Sequence, residues 1–349
     1  MLYAPAPPHV RMAVLGGPEI ARERHNRAVR NTTASRTERK QKGCEMQAGE
    51  SRGYLLVFAA GCMWGIIGPL MSVMADAGAS ATEISLLRVA FAFLIMLPLA
   101  LVRSGAQALR VDAKTLATCA LLGIICHGIY NVFYAYVVTL CGVATAAVLL
   151  NIAPVFGLLF AVALFKEAPT GLKLTAVAID ILGCVLVVTG GDFSALTFSV
   201  FGVLCGIGAG VTYAMTAVLG RIAGNRTDPF VMSAYSYLFA SLFMVLWAHP
   251  WTGPMSVNGM VIGAGFVLAL VPTALGYVVY YAGVNRIREN SKVPVVASSE
   301  TVVAAAFGIL LYREPLGPIG IFGIVLVLAS IALMSWHPHP TARRSRDAS

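Results

Sequence analysis

His127, Tyr130, Asn131 and Tyr134 stand at i, i+3, i+4 and i+7 in an apolar stretch, so a helix through them carries all four on one face. Lipid penalises such a polar stripe, whereas an aqueous or solute-lined cavity requires one. The plainer use of these side chains is interhelical hydrogen bonding, worth about 0.6 kcal/mol on average. Tyr277 and Tyr281 repeat the tyrosine spacing later in the chain. That recurrence favours a cavity, and Trp64, Asn151 and Tyr213 complete the candidate solute-binding set.

Glu300 lies near the middle of another apolar run, where a carboxylate costs roughly 2.5–3.5 kcal/mol on insertion scales. It could take up a coupling proton, face a substrate amine, or tie helices together through Ser298, Ser299 or Asn151. Asp180, seven residues from the cytoplasmic end of its run, is read as facing a neighbouring helix or hydrating from the interface, and not as a functional group. Arg88, about one turn from the end of its run, is expected to snorkel. With no other Lys or Arg at mid-span, phosphorylated solutes are disfavoured. Aromatic faces beside an acid suit a neutral, zwitterionic or cationic organic solute instead.

The elements that must hold these residues are membrane helices. The 349 residues are 58% hydrophobic and 12% charged, with mean hydropathy +0.78. Soluble domains carry about twice that share of charge, which excludes soluble enzymes. Apolar runs long enough to cross a ~30 Å hydrocarbon core recur ten times. They lie at about 53–75, 84–102, 115–138, 142–165, 174–190, 198–220, 230–248, 259–284, 292–312 and 317–336. Residues 1–52 lack apolar periodicity and are expected to form a disordered cytoplasmic tail, with Met46 an alternative start to Met1. Residues 337–349 form a second cytoplasmic tail.

Loop charge orients the spans. Arg103, Arg110, Lys114, Lys166, Lys173, Arg221, Arg226, Arg286, Arg288 and Lys292 fall in alternate loops, and only Arg313 falls in the others. Cytoplasmic loops hold the excess, so both termini are expected inside. Trp247, Trp251 and Trp336 fall at span ends as interface anchors, whereas Trp64 is mid-span. A shift of 147 residues superposes YNVFYAYV (130–137) on YVVYYAGV (277–284) and LFKEAP (164–169) on LYREPL (311–316), pairing Glu167 with Glu314. Units of five spans, an odd number, insert in opposite orientations, and inverted repeats are a transporter architecture.

The remaining signals concern packing or are absences. Gly61 with Gly65, and Gly202, Gly206 and Gly210, are small-residue ladders for close helix approach. Pro154 and Pro272 can bend their spans. The seven Cys have no CxxC spacing and read as buried thiols. The HPHP of His337 and His339 is a poor metal site, and neither a P-loop nor a hydrolase motif occurs. No cofactor, metal, nucleic acid or enzymatic activity is expected.

The segments LLRVAFAFLIMLPLALV, NIAPVFGLLFAVALFKEAPT and SSETVVAAAFGILLYREPLG resemble the EamA-type exporters of the drug/metabolite transporter superfamily, over about residues 53–336. Thr301 departs from the proline common in the family, whereas Pro154 keeps it in the first half. The resemblance implies an all-α membrane protein of ten transmembrane helices, built as two inverted five-helix repeats (53–190 and 198–336). It also implies a secondary transporter in the cell membrane that exports an amino acid, amine or drug-like solute through a central cavity. The competing reading is a non-transporting membrane sensor or scaffold.

Overall fold

The computed structural model describes residues 49–253, 255–312 and 317–335. Most of the predicted N-terminal tail, Met46, Arg313, Glu314, Trp336, His337, His339 and the C-terminal tail lie outside the described residues. The described chain is helical and contains no strand. Its long helices are α1 (Gly49–Asp76), α2 (Ala81–Ser104), α3 (113–141), α4 (143–165), α5 (Gly171–Thr189), α6 (Val200–Gly224), α7 (Pro229–Ala248), α8 (Gly259–Val284), α9 (Asn290–Leu311) and α10 (Pro318–Ser335). All are apolar, and their number matches the ten expected spans. Residues 49–52, assigned from the sequence to the tail, are already helical, and Glu50 accepts hydrogen bonds from the Tyr54 hydroxyl and the Arg288 N–H.

Local chemistry fixes the helix starts. Ser80 and Glu83 form a reciprocal capping box before α2, and Asp112, Thr170, Asp228 and Asn258 cap α3, α5, α7 and α8 with side-chain oxygens. Gly142 separates α3 from α4: its φ of 80° and ψ of 167° are open to glycine and costly for other residues. The chain therefore reverses in a single residue between two spans.

The repeat found in the sequence reappears in the backbone. α3 widens to π-helix over Leu122–Ile129, and α8 does so over Ala269–Leu275. Adding 147 to Leu122 gives Ala269. α4 breaks at 151–152 and α9 at Ser298, again 147 residues after Asn151. In α8 the cause is visible. Pro272 has no N–H for the Leu268 carbonyl, and the Thr273 hydroxyl donates to it instead at 2.7 Å. Thus Pro272 does reshape its span.

Glycines set the close crossings. A methyl group at Gly61 or Gly65 of α1 would run into Ser299 or Val303 of α9, and one at Gly202 or Gly206 of α6 would overlap Cys141 or Leu149. At the α5–α10 crossing, a methyl on Gly183 would lie 2.9 Å from the Gly323 carbonyl oxygen. The small-residue ladders are therefore packing devices. Trp247 and Trp251 are exposed at the end of α7, as interface anchors should be, and Trp64 is buried.

Candidate solute-binding site

A cavity of about 510 Å³ lies between α1, α2, α3, α4, α5, α6 and α9. The loops α2–α3, α4–α5, α6–α7 and α8–α9 define the basic end of the bundle. The cavity extends from mid-bundle toward the opposite end, reaching Val143 and Ala144 at the start of α4 and Val188 near the end of α5.

The ten predicted binding residues divide into seven that line the cavity and three that do not. Tyr130, Asn131, Tyr134, Asn151, Tyr213 and Glu300 line the cavity, as does Trp64. Tyr130 and Tyr134 stack with ring centroids 5.9 Å apart, and Tyr213 lies 5.9 Å from Tyr130 and 6.0 Å from Trp64. The Tyr213 hydroxyl donates to Glu300 Oε2 at 3.2 Å. The Asn131 side-chain amide donates to the His127 carbonyl, and Asn151 Oδ1 accepts from Thr301 Oγ1 at 3.4 Å. Broken helices put these groups in place. The turn at 151–152 presents Asn151, and the break at Ser298 presents Ser298, Glu300 and Thr301.

His127, Tyr277 and Tyr281 do not line the cavity, and this corrects the symmetric expectation. They are buried behind it, with Tyr281 fully so. His127 Nε2 lies 3.2 Å from the Tyr281 hydroxyl, and its ring packs on Tyr237 and Tyr277. The reason is geometric. α3 runs away from the basic end and α8 runs toward it, so the second half of each helix, where the tyrosines sit, lies at opposite ends of the bundle. The half that holds Tyr277 and Tyr281 is closed.

A polar network closes it. The Glu167 carboxylate, in the α4–α5 turn, accepts from the N–H groups of Asn290 and Ser291 and from the Ser291 hydroxyl, at the start of α9. Lys173 lies 3.4 Å from Glu167 and 3.0 Å from Glu289, and Lys292 also pairs with Glu289 at 3.0 Å. Partial burial raises the Glu289 pKa, but Lys173 and Lys292 outweigh it and hold the carboxyl below the usual range. Arg221 donates to the carbonyls of Val284, Ile287 and Arg288. Sequence reasoning gave these residues no role beyond orientation, although the repeat had aligned Glu167 with Glu314.

Two further expectations change. Arg88 does not snorkel: it is 7% exposed, its Nε donates to Thr273 Oγ1 at 2.9 Å, and it lines the cavity. The helix contacts foreseen for Glu300 are made by others. Ser298 donates to Asp180 at 2.7 Å, Ser299 donates to the Phe58 carbonyl, and Asn151 meets Thr301. Asp180 is fully buried and also accepts from Ser330 at 2.7 Å, so it joins α5, α9 and α10 as a structural group. Among the described residues no cluster of three or more His, Cys, Asp or Glu side chains is arranged to hold a metal.

Comparison with known proteins agrees with this architecture. The chain is 26% identical over 272 residues to an uncharacterized transporter of Archaeoglobus fulgidus, covering 78% of this chain and 92% of that one. It is 25% identical to YicL, an uncharacterized inner membrane transporter of Salmonella typhimurium, over 84% of this chain and 98% of the relative. A protein of known crystal structure superposes with a TM-score of 0.69 at 16% identity, covering 81% of this chain and 96% of that one, a likeness of fold alone. The EamA-like transporter family matches twice, over residues 51–189 and 200–336, the same division that the π-stretches and helix breaks mark in the backbone. With both five-helix units matched, this multi-pass membrane protein belongs to the EamA-like transporter family.

Proposed function

We propose that the protein is a secondary transporter that exports a small organic metabolite, such as an amino acid, amine or drug-like solute, by alternating access. The observation that carries this reading is the single-ended cavity. Aromatic, amide and carboxyl groups gather at two helix breaks, open toward one end and shut from the other by the Glu167 network. A volume near 510 Å³ lies within the range of about 300–1,000 Å³ usual for small-molecule sites. The basic loops support a cytoplasmic location for the closed end and for both termini. The cavity then faces outward, in the conformation from which an exporter releases its solute. Glu300 is the group through which a proton gradient would act, either by taking up a proton or by pairing with a substrate amine.

Flux of radiolabelled amino acids and amines into proteoliposomes, with and without a pH gradient, tests this. Accumulation dependent on the protein, and altered by Glu300→Gln, is expected. A folded protein that moves no solute under either condition would favour the sensor or scaffold reading.

A further inference from the structure

The charged side chains that line the cavity are Arg88 and Glu300. Arg88 belongs to α2 and is 7% exposed, and its guanidinium forms one hydrogen bond among the described residues, from Nε to Thr273 Oγ1. A guanidinium carries five N–H donors in a planar fork. The two terminal nitrogens, Nη1 and Nη2, therefore have no hydrogen-bond partner among the described residues. Among the described residues no carboxylate lies within ion-pair distance of them, and Glu300 is instead bonded to Tyr213. A guanidinium fixed at a cavity wall with its terminal nitrogens unpaired is poised to take an anionic group of a solute.

We propose that Arg88 is an anion-binding subsite of this cavity and that the solute carries a carboxylate, held by the terminal guanidinium nitrogens. Its chemistry matches: the fork of a fixed guanidinium accepts the two oxygens of a carboxylate side by side. The hydrogen bond to Thr273 holds the fork in place, and Thr273 is itself pinned because its hydroxyl fills the gap left by Pro272 in the α8 π-stretch. Arg88 is thus anchored by the backbone irregularity of the second repeat while facing a cavity built largely from the first.

Charge balance narrows the class. Arg88 and Glu300 contribute one charge of each sign when both are ionised. A solute with one carboxylate and one ammonium group leaves the loaded cavity neutral, whereas a doubly charged phosphate leaves an excess of negative charge beside Glu300. The aromatic faces of Trp64, Tyr130, Tyr134 and Tyr213 supply surface for an apolar body between the two charged groups. The inference deepens the transport reading and rests on it for the direction and the movement of the solute, but binding at Arg88 can be measured without transport.

A panel of phenyl compounds that differ in their charged groups separates the terms: phenylalanine, phenylalaninamide, phenethylamine, 3-phenylpropanoate and phenyl phosphate. Affinity for wild type, Arg88→Lys and Arg88→Gln is read from ligand-induced thermal shifts of the purified protein, and movement from counterflow in proteoliposomes. Wild type should bind phenylalanine about tenfold or more tightly than phenethylamine or phenylalaninamide. Arg88→Gln should abolish that preference without weakening phenethylamine binding, and Arg88→Lys should retain part of it. Equal binding of phenylalanine and phenethylamine by wild type, a preference that survives in Arg88→Gln, or tighter binding of phenyl phosphate than phenylalanine would each overturn the assignment. Should Arg88→Gln fail to fold, the wild-type ranking and Arg88→Lys decide. An Arg88-dependent preference without counterflow upholds the subsite and sinks the transport reading. Counterflow of acid and amine alike, indifferent to Arg88, does the reverse.

Discussion

Replacing Glu167 tests what holds the basic end shut. Its carboxylate satisfies the first two amides of α9, those of Asn290 and Ser291, and the Ser291 hydroxyl, and its side chain is 9% exposed. Hydrogen bonds to a charged acceptor contribute about 1.5–3 kcal/mol each. Lys173 keeps Glu289 and the Ala168 carbonyl as partners, so losing Glu167 strands no buried charge. The cost of Glu167→Ala therefore comes mainly from the two amides, about 3 kcal/mol, which corresponds to roughly a hundredfold rise in local opening. Hydrogen exchange resolved to single amides reads this directly, because an amide exchanges only when its bond is broken. Glu167→Ala should speed exchange at both residues by about that factor. Glu167→Gln keeps one acceptor oxygen. If that oxygen takes the place of Oε2 and serves Ser291, the amide nitrogen faces the Asn290 N–H, so Asn290 should lose more protection than Ser291. Unchanged exchange at 290 and 291 in Glu167→Ala would refute the claim that this carboxylate locks α9.

Asp180→Ala should lower thermal stability in detergent by about 1–3 kcal/mol for two lost hydrogen bonds, and no more, because Ser298 and Ser330 can turn to the carbonyls of Pro294 and Val327. A melting temperature unchanged from wild type would remove it from the α5–α9–α10 junction. Gly183→Ala should cost about 1–3 kcal/mol by forcing α5 from the Gly323 backbone, seen as a lower melting temperature, and Gly171→Ala, with open space around it, should not. The ion pairs of Glu289 give a pH signature: its folded pKa is depressed, so their contribution is fully present above about pH 4.3 and is lost as pH falls through the lower folded value. The difference in melting temperature between wild type and Glu289→Gln should therefore be constant from neutral pH down to that point and shrink only below it.

Much of this fold was legible because membrane burial writes in long apolar runs and loop charge. The ten spans and the repeat register of 147 needed nothing beyond those signals, the two tyrosine motifs and the match of LFKEAP to LYREPL. The tyrosine stripe on α3 was legible for the same reason, since a polar face at helical spacing has few uses in lipid. Arg88 was not, because its distance from the end of the run says nothing of which way it faces, and the Thr273 that receives it is 185 residues away. The partner of Glu300 was equally hidden. Three polar neighbours in or near its own repeat register were available, and the protein uses Tyr213, from a helix whose repeat mate carries Ile66 at that position. Backbone devices recur between the halves; side-chain partners do not.

That contrast bears on the two tyrosine pairs, whose local backbones are alike and whose surroundings differ. Each pair follows a π-stretch at the same repeat register, yet Tyr130 and Tyr134 border the cavity while Tyr277 and Tyr281 are buried. Local sequence cannot produce the difference, so it reflects which end of the bundle is open. In the alternative arrangement, with the Glu167 network parted and the far end closed, the roles should exchange. Tyr281→Cys, in a background without the native thiols, should then react with a membrane-impermeant thiol reagent only from the basic side, and faster when Glu167→Ala is added. Tyr134→Cys should react from the opposite side and more slowly with Glu167→Ala. The sum matters as much as the signs: in a single two-state equilibrium the two populations add to one, so the fraction gained at Tyr281→Cys is lost at Tyr134→Cys, and the ratio of the two rates moves by the full change in the equilibrium constant. Labelling at Tyr281→Cys fast enough to require a substantial share of the population, with Tyr134→Cys still reacting at its full rate, would mean that the basic end frays locally, and that the two halves do not move as one.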